Sequence, residues 1–149
     1  MSTHQQLLYH IVFSTKNRQP WLTDGFRENV FAYIAGVIQH LGGFPLRIGG
    51  YYEHVHLLTR IPAKLALSEC VGKIKANTSK HINSTSHLPR KFGWQDGYGA
   101  LTVSISQKDR LIAYVDQQME HHRARSFEDE YVALLRRHEV EYDPRYLWD

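Results

Sequence analysis

The chain contains little cysteine and no long apolar run. Its 149 residues include one cysteine, Cys70, which excludes a disulfide within one chain and is typical of a protein from a reducing compartment. No apolar stretch reaches the roughly 20 residues that cross a bilayer, and the N-terminus lacks the basic-then-apolar pattern of a signal peptide. We therefore expect a cytoplasmic protein with no membrane partner.

The net charge is also small. Eighteen Lys and Arg residues against 15 Asp and Glu residues give a charge of +3, with a pI near 9.0. This balance permits a polyanionic partner without requiring one. We see no internal repeat, low-complexity segment or linker. Together with the ordinary globular composition, this predicts a single domain over residues 1–149.

The spacing of apolar residues predicts a regular order of strands and helices. Strands are predicted over residues 5–15, 44–50, 54–61 and 100–107. Helices are predicted between residues 23 and 43 and over 65–85, 108–124 and 127–140. The first six elements follow the β-α-β-β-α-β order of ferredoxin-like domains. We therefore predict an α+β, ferredoxin-like antiparallel sheet with helices on one face, plus C-terminal helices. The opposite face or an edge would remain free to bind a partner.

The segment HVHLLTRI (54–61) places two histidines, His54 and His56, in an apolar strand. Side chains of a strand alternate between its faces, so these two imidazoles share one face. The pair indicates a metal clamp, an acid–base pair or a coincidence in a chain with ten histidines. The spacing alone leaves these three alternatives open.

Tyr114 and Gln118 favour the metal alternative. They are four residues apart in the predicted helix 108–124 and therefore share a helical face. A glutamine beside two imidazoles completes a mixed nitrogen and oxygen site that suits Mg²⁺ or Mn²⁺. A phenol with a pKa of about 10 is a weak nucleophile at neutral pH unless a base or a metal ion assists it. A tyrosine next to such a metal site is therefore placed to attack a phosphodiester that the ion holds. The nearby His121 and His122 are expected to meet solvent or phosphate.

Five segments in order resemble a known family. They are YHIVFSTKNRQPWL (9–22), HVHLL (54–58), KIKANTSKHI (73–82), FGWQDGYGALTVS (92–104) and YVDQQMEHH (114–122). Over residues 7–125 the chain resembles the single-tyrosine HUH transposases of the IS200/IS605 type. It departs from them in YYEH before the first histidine, in Gln117 where asparagine is frequent, and in a longer C-terminal segment.

The resemblance implies a role for each matched residue. His54, His56 and Gln118 would be metal ligands, and Tyr114 would be the nucleophile that takes the 5′ phosphate of a cut strand and leaves a free 3′ hydroxyl. The implied partner is single-stranded DNA with hairpin ends. The resemblance also implies a homodimer with joined sheets, in which the tyrosine helix can serve the partner's histidine pair.

Several cations accompany these motifs and are predicted phosphate contacts, with a solvated surface as the alternative. They are Lys16 and Arg18 in the first turn, Lys73, Lys75 and Lys80 on the second helix, and Arg90 and Lys91 in the following loop. Trp94 and Tyr98 lie among glycines near these cations, where they suit either stacking on unpaired bases or core packing.

Three functions remain in competition. The first is a metal-dependent enzyme that nicks and joins single-stranded DNA near hairpins; it needs no ATP or NAD motif, since a phosphotyrosine conserves the bond energy. The second is a domesticated, repeat-associated protein that binds hairpin DNA without transposition. The third is a metal hydrolase that uses water as the nucleophile. It would need further carboxylates, and Glu53 is expected on the opposite strand face from His54.

Overall fold

The computed structural model describes residues 1–148; the last residue of the predicted 1–149 domain, Asp149, lies outside the described residues. The strands are β1 (Leu8–Ser14), β2 (Phe44–Gly50), β3 (His54–Arg60) and β4 (Gly99–Thr102). The helices are α1 (Phe26–His40), α2 (Leu67–Thr85), α3 (Lys108–Asp116), α4 (Gln118–Ala124) and α5 (Phe127–Arg137). Within residues 1–148, no helix is long and apolar enough to cross a membrane.

The four strands form one antiparallel sheet in the order β2-β3-β1-β4. This order arises because α1 and α2 each carry the chain past a central strand before the next strand is added. It is the topology that the β-α-β-β-α-β order predicts, so the predicted α+β fold is confirmed. The central strands β1 and β3 are paired along their whole lengths, with Val12 opposite His56 and Ser14 opposite His54.

The main core lies between one face of the sheet and the helices α1 and α2. Alternate residues of the central strands, such as Phe13 and Leu57, point toward these helices and are fully buried. The helices supply apolar residues at helical spacing, namely Val30, Ile34, Ile38, Val71, Ile74 and Ile82. Trp94 belongs to this core, because it is 6% exposed and donates its indole N–H to Thr78.

The opposite face of the sheet, which was expected to be free unless an edge was, is covered in part by the C-terminal helices. Val12 and Leu101 pack there against Phe127, Tyr131 and Leu134 of α5. The sheet face and α5 both present apolar side chains, and packing them together removes both apolar surfaces from water. The histidines that share this face are therefore buried beneath helices instead of facing solvent.

The prediction of one helix over residues 108–124 is wrong, because the chain breaks at Gln117 into α3 and α4. Gln117 has φ −98° and ψ 18°, and its N–H points to the carbonyls of Ala113 (3.1 Å) and Tyr114 (3.3 Å). The side chain of Gln118 also approaches the Tyr114 carbonyl, at 3.4 Å. The predicted strand 100–107 likewise ends at Thr102, and a 3₁₀ turn leads into α3.

Gly49 of β2 allows α3 to approach the sheet closely. A Cβ atom at Gly49 would lie 2.5 Å from the Val115 carbonyl oxygen and 2.7 Å from Val115 Cγ1. We expect Gly49→Ala to lower the free energy of unfolding, measured in urea, by about 1–3 kcal/mol. The matched control is Gly36→Ala in α1, where nothing lies within 4 Å; it should stabilise by up to about 1 kcal/mol. Unchanged stability of Gly49→Ala would contradict this packing.

Candidate active site

The predicted pair His54 and His56 lies on one face of β3, and both side chains are fully buried. Gln118, from the start of α4, lies 3.0 Å from His54 through its Oε1 atom and the Nε2 atom of the imidazole. Tyr114 at the end of α3 lies over the same site, with its ring centroid 5.7 Å from that of His56. The structure therefore brings all four residues together within one chain.

A carboxylate that the sequence analysis did not single out, Glu130 of α5, occupies the centre of the site and is 2% exposed. Its Oε1 atom lies 3.1 Å from His56 Nε2, 3.2 Å from His122 Nε2 and 3.5 Å from His54 Nε2. Its Oε2 atom accepts hydrogen bonds from the Tyr114 hydroxyl and, at 3.2 Å, from Gln118 Nε2. One carboxylate thus connects the tyrosine with three imidazoles.

The surroundings of Glu130 favour its charged form. Burial by itself would raise the pKa of this carboxyl, but the hydrogen bonds from His122 and His56 and the nearby His54 hold it well below its usual range. Burial has the opposite effect on His56, whose pKa it lowers. The site therefore combines a carboxylate with a buried imidazole that resists protonation, which is a suitable donor set for a cation.

Glu53 orients His54 from the side away from Glu130. Glu53 precedes β3, so it does not follow the alternation of the strand, and its Oε1 lies 2.6 Å from His54 Nδ1. The expectation that Glu53 points to the opposite face is wrong for this reason. The carboxylate accepts a hydrogen bond from Nδ1–H and leaves Nε2 for the site, as in metal centres where a carboxylate orients a histidine ligand.

His10 supports His56 in the same way from the neighbouring strand. Its Nε2 atom lies 2.8 Å from His56 Nδ1, and the two rings stack with centroids 5.0 Å apart. Burial and then the charge of His56 lower the pKa of His10 to about 3, so His10 is neutral at physiological pH. The register explains the contact, since His10 pairs with Leu58 and lies diagonal to His56 on the same face.

Tyr114 is half-buried and faces an open cleft on its other side. Burial, followed by the charge and the hydrogen bond of Glu130, raises the pKa of its hydroxyl well above the usual value for a phenol. The cleft, about 300 Å³ in volume, is lined by His10, Tyr114 and the exposed side chains of Arg110 and Arg137; we call it the tyrosine cleft. A phosphate that approached the hydroxyl through this cleft would pass two guanidinium groups.

Three of the predicted DNA-contacting cations line a second cleft, of about 120 Å³. This basic cleft is formed by Lys16, Arg90 and Lys91 together with Trp21 and Phe92. It lies near the histidine end of β3, because the backbone N–H of Thr15, which precedes Lys16, donates to the carbonyl of Glu53 at 2.8 Å. Cations beside aromatic rings suit the phosphates and bases of an unpaired strand.

The other predicted cations are placed differently. Arg18 pairs with Glu128 at 2.8 Å and lies over the ring of Trp148, and Lys73 pairs with Glu69 at 3.0 Å. Lys75 donates to the carbonyls of Gln95 (2.8 Å) and Gly97 (2.5 Å), which fastens the loop before β4 to α2. Lys80 lies on the exposed face of α2.

The site contains three residues whose role sequence reasoning missed, Glu130, His122 and His10. Glu130 gives a signal in retrospect, since it lies on the apolar face of α5 between Phe127 and Leu134, where a carboxylate is unexpected. The expectation that His122 meets solvent or phosphate is wrong, because its side chain is 3% exposed and contacts Glu130. Its signal was the helical spacing, since His122 lies four residues after Gln118 and shares its helical face. The adjacent His121 contacts the Tyr114 ring, with centroids 4.9 Å apart.

The donor atoms of the site fit a divalent cation. The ligand atoms of His54, His122 and Glu130 all lie within 4.8 Å of one another, close enough to surround one ion. Imidazole nitrogens and carboxylate oxygens are accepted ligands of Mn²⁺ and related ions. A histidine pair and a tyrosine therefore lie together on one antiparallel sheet, beside donor atoms able to hold a metal ion.

Comparison with known proteins identifies the family. The chain belongs to the transposase IS200-like family, whose model matches residues 3–118. Membership implies an enzyme that cuts and joins DNA. No curated protein matches the chain.

Two solved structures have a similar fold. One, a candidate transposase from Deinococcus radiodurans R1, has a TM-score of 0.63 at 20% identity, over 79% of this chain and 98% of that chain. The other, a REP-associated tyrosine transposase bound to a REP hairpin, has a TM-score of 0.61 at 15% identity, over 82% of this chain and 74% of that chain. At these identities the likeness concerns the fold alone.

Proposed function

We propose that this protein is a metal-dependent, single-tyrosine transposase that cuts and rejoins single-stranded DNA beside hairpins. The observation that carries the proposal is the convergence of Tyr114, His54, His56 and Gln118 in one site of an IS200-like transposase. Each of these side chains has a chemical role in phosphodiester cleavage, and the tyrosine is the group that can become covalently attached to DNA.

In the proposed reaction, the Tyr114 oxygen attacks the scissile phosphorus. The new bond from the tyrosine oxygen to phosphorus forms as the bond from phosphorus to the 3′ oxygen breaks. Tyr114 loses its phenolic proton, which the resting structure directs at Glu130 Oε2, and the departing 3′ oxygen gains a proton. Rejoining is the same step in reverse with another 3′ hydroxyl, so no nucleotide cofactor is consumed.

The histidines and Gln118 prepare the site for this attack. His54 and His56 present their Nε2 atoms toward Glu130, and Gln118 presents Oε1 on the same side. His54, His56 and Gln118 would hold a Mg²⁺ or Mn²⁺ ion, which would supply positive charge to orient the phosphate and to stabilise the negative charge that develops on its oxygens. Glu53 and His10 hold the two imidazoles in the orientation that this role requires.

The substrate is proposed from the two clefts and from one structural neighbour. The tyrosine cleft offers Arg110 and Arg137 to the strand that is cut, and the basic cleft offers Lys16, Arg90 and Lys91 to an adjoining segment. A protein of similar fold has been solved with a REP hairpin, which supports a hairpin next to the cut strand. A homodimer is proposed from the family resemblance. Because one chain supplies both the tyrosine and the histidines, we propose that each active site is formed within one chain.

The decisive experiment is capture of a protein–DNA adduct. Labelled single strands that carry hairpins of varied sequence are incubated with the protein and Mn²⁺ or Mg²⁺ and then analysed by denaturing electrophoresis. We expect an adduct that withstands denaturation with single strands, and none with blunt duplex or with EDTA. Binding of hairpins without an adduct in any divalent metal would contradict the enzyme and favour the second function, a domesticated hairpin-binding protein.

The basic cleft should contribute affinity without contributing chemistry. We expect the triple variant Lys16→Ala, Arg90→Ala, Lys91→Ala to bind single-stranded DNA more weakly. The slope of the logarithm of the binding constant against the logarithm of the salt concentration should be smaller in magnitude by about 2, because each of the three lost phosphate contacts contributes about 0.7. The control is Lys64→Ala, an exposed lysine beyond the opposite end of β3. Equal salt slopes for the triple variant and wild type, measured by fluorescence anisotropy, would contradict the assignment.

A further inference from the structure

Glu130 and His122 lie inside the site although they fall outside residues 3–118, the part of the chain that matches the family model. We propose that both are metal ligands, so that the C-terminal segment of this chain completes the metal site. The inference rests on the proposed function, because it extends the ligand set of His54, His56 and Gln118. It assigns the segment after Gln118 a direct part in the active site.

The first support is the spacing of the donor atoms. Metal–ligand bonds of about 2.1 Å place neighbouring ligand atoms about 3.0 Å apart in octahedral and about 3.4 Å apart in tetrahedral geometry. Glu130 Oε1 lies at 3.1, 3.2 and 3.5 Å from the Nε2 atoms of His56, His122 and His54. Gln118 Oε1 lies at 3.0 Å from His54 Nε2 and 3.1 Å from His122 Nε2. For Glu130, His122, His54 and Gln118 these separations fit neighbouring ligands of one ion. The donor atoms of His54, His122 and Glu130 all lie within 4.8 Å of one another, a group that does not include His56.

The second support is the direction of the hydrogen bonds. Glu53 accepts a hydrogen bond from His54 Nδ1–H, which leaves Nε2 of that ring facing the site. Gln118 donates through Nε2 to Glu130 Oε2, which leaves its Oε1 pointing at the same space. Glu130 Oε1 points there as well. These atoms converge on one space, where a cation would be held by their lone pairs.

The third support is the way α5 is fixed to the sheet. The Phe127 ring stacks on the His54 ring with centroids 4.1 Å apart. Tyr131 fills the space above Gly99 of β4, where a Cβ atom would lie 2.9 Å from the tyrosine ring. Ser126 caps the helix by accepting from the N–H of Asp129. Glu130, between these anchors, is therefore directed into the site by the packing of the helix.

The enlarged ligand set changes the expected preference among ions. Two imidazole nitrogens, from His54 and His122, favour a transition ion, whereas Mg²⁺ prefers oxygen ligands and retains several waters. The carboxylate of Glu130 supplies the negative charge that the imidazoles and the amide lack. We therefore expect the DNA-free protein to bind Mn²⁺ more tightly than Mg²⁺.

The test measures Mn²⁺ binding to the full chain without DNA, by calorimetry and by electron paramagnetic resonance. We expect Glu130→Gln and His122→Gln each to weaken Mn²⁺ binding by at least about tenfold. The matched controls are Glu120→Gln, an exposed carboxylate of α4, and His121→Gln, the adjacent histidine; both should stay within about twofold of wild type. Near-UV circular dichroism verifies that each variant is folded.

A second readout separates ligation from a structural role. The electron spin echo of bound Mn²⁺ reports coupled imidazole nitrogens, and His122→Gln should lose one of them. Wild-type affinity in Glu130→Gln, or an unchanged nitrogen count in His122→Gln, would overturn the proposal. If Glu130→Gln weakens Mn²⁺ binding but the wild-type protein forms no DNA adduct, only the proposed function would be overturned. If the wild-type protein forms the DNA adduct but Glu130→Gln binds Mn²⁺ with wild-type affinity, only the ligand assignment would be overturned.

Discussion

Replacing Tyr114 by phenylalanine should reduce covalent adduct formation by about 10⁴-fold or more and leave hairpin binding within about twofold of wild type. The variant removes one oxygen, the atom that bonds to phosphorus in the proposed reaction. The site should remain assembled, because Glu130 keeps its hydrogen bonds from Gln118, His56 and His122. Gel analysis of adducts and anisotropy of labelled hairpins measure the two quantities on one preparation.

The matched control for this variant is Tyr142→Phe. Tyr142 is another tyrosine, on the segment after α5, and its hydroxyl accepts from Arg136 at 3.2 Å instead of facing the site. Adducts should form at the wild-type rate in this control. Adduct formation by Tyr114→Phe would show that another nucleophile acts, and peptide mapping of the adduct would then identify it.

Replacing His54 by alanine should abolish cleavage and weaken Mn²⁺ binding by on the order of 100-fold. His54 contacts Gln118 through one ring nitrogen and Glu53 through the other, so its loss removes a ligand and releases the carboxylate that orients it. His54→Gln, which retains more of the side-chain volume under Phe127, guards against a loss of folding. Adduct yield at saturating Mn²⁺ and the Mn²⁺ affinity are the two measurements.

The exposed His87, in the loop after α2, provides the control for His54. His87→Ala should cleave DNA and bind Mn²⁺ as wild type does. Mixing Tyr114→Phe with His54→Ala should yield no adduct, because one chain carries the tyrosine and the histidines together. Restored cleavage in the mixture would show that the tyrosine serves the histidines of a second chain.

The fold could be predicted because its determinants are local. The apolar spacing in residues 26–41 and 67–82 defines α1 and α2, and the runs at 8–14 and 54–60 define the central strands. Six elements in this order leave few ways of forming one sheet. The position of His54 and His56 on one face followed from the two-residue period of a strand, which holds wherever the strand is placed.

The remainder of the site could not be predicted, because it depends on how distant segments meet. The break at Gln117 depends on the dihedral angles of one residue and gives no clear sequence signal, so the start of a separate helix at Gln118 could not be predicted. Glu130 is 74 residues from His56 along the chain, and its contact with the imidazole depends on α5 packing over Val12 and Leu101. Pairing over that distance is set by packing and not by local pattern.

The sequence by itself determined the antiparallel sheet, the shared face of the histidine pair, the candidate nucleophile Tyr114 and the family resemblance. These properties depend on the period of apolar residues and on short motifs, which are fixed by the order of residues. Only the tertiary structure decided that the second face of the sheet is covered, that Lys75 fastens a loop, and that Glu130 lies between Tyr114 and three imidazoles. A buried carboxylate needs partners on all sides, and the folded chain alone brings those partners together.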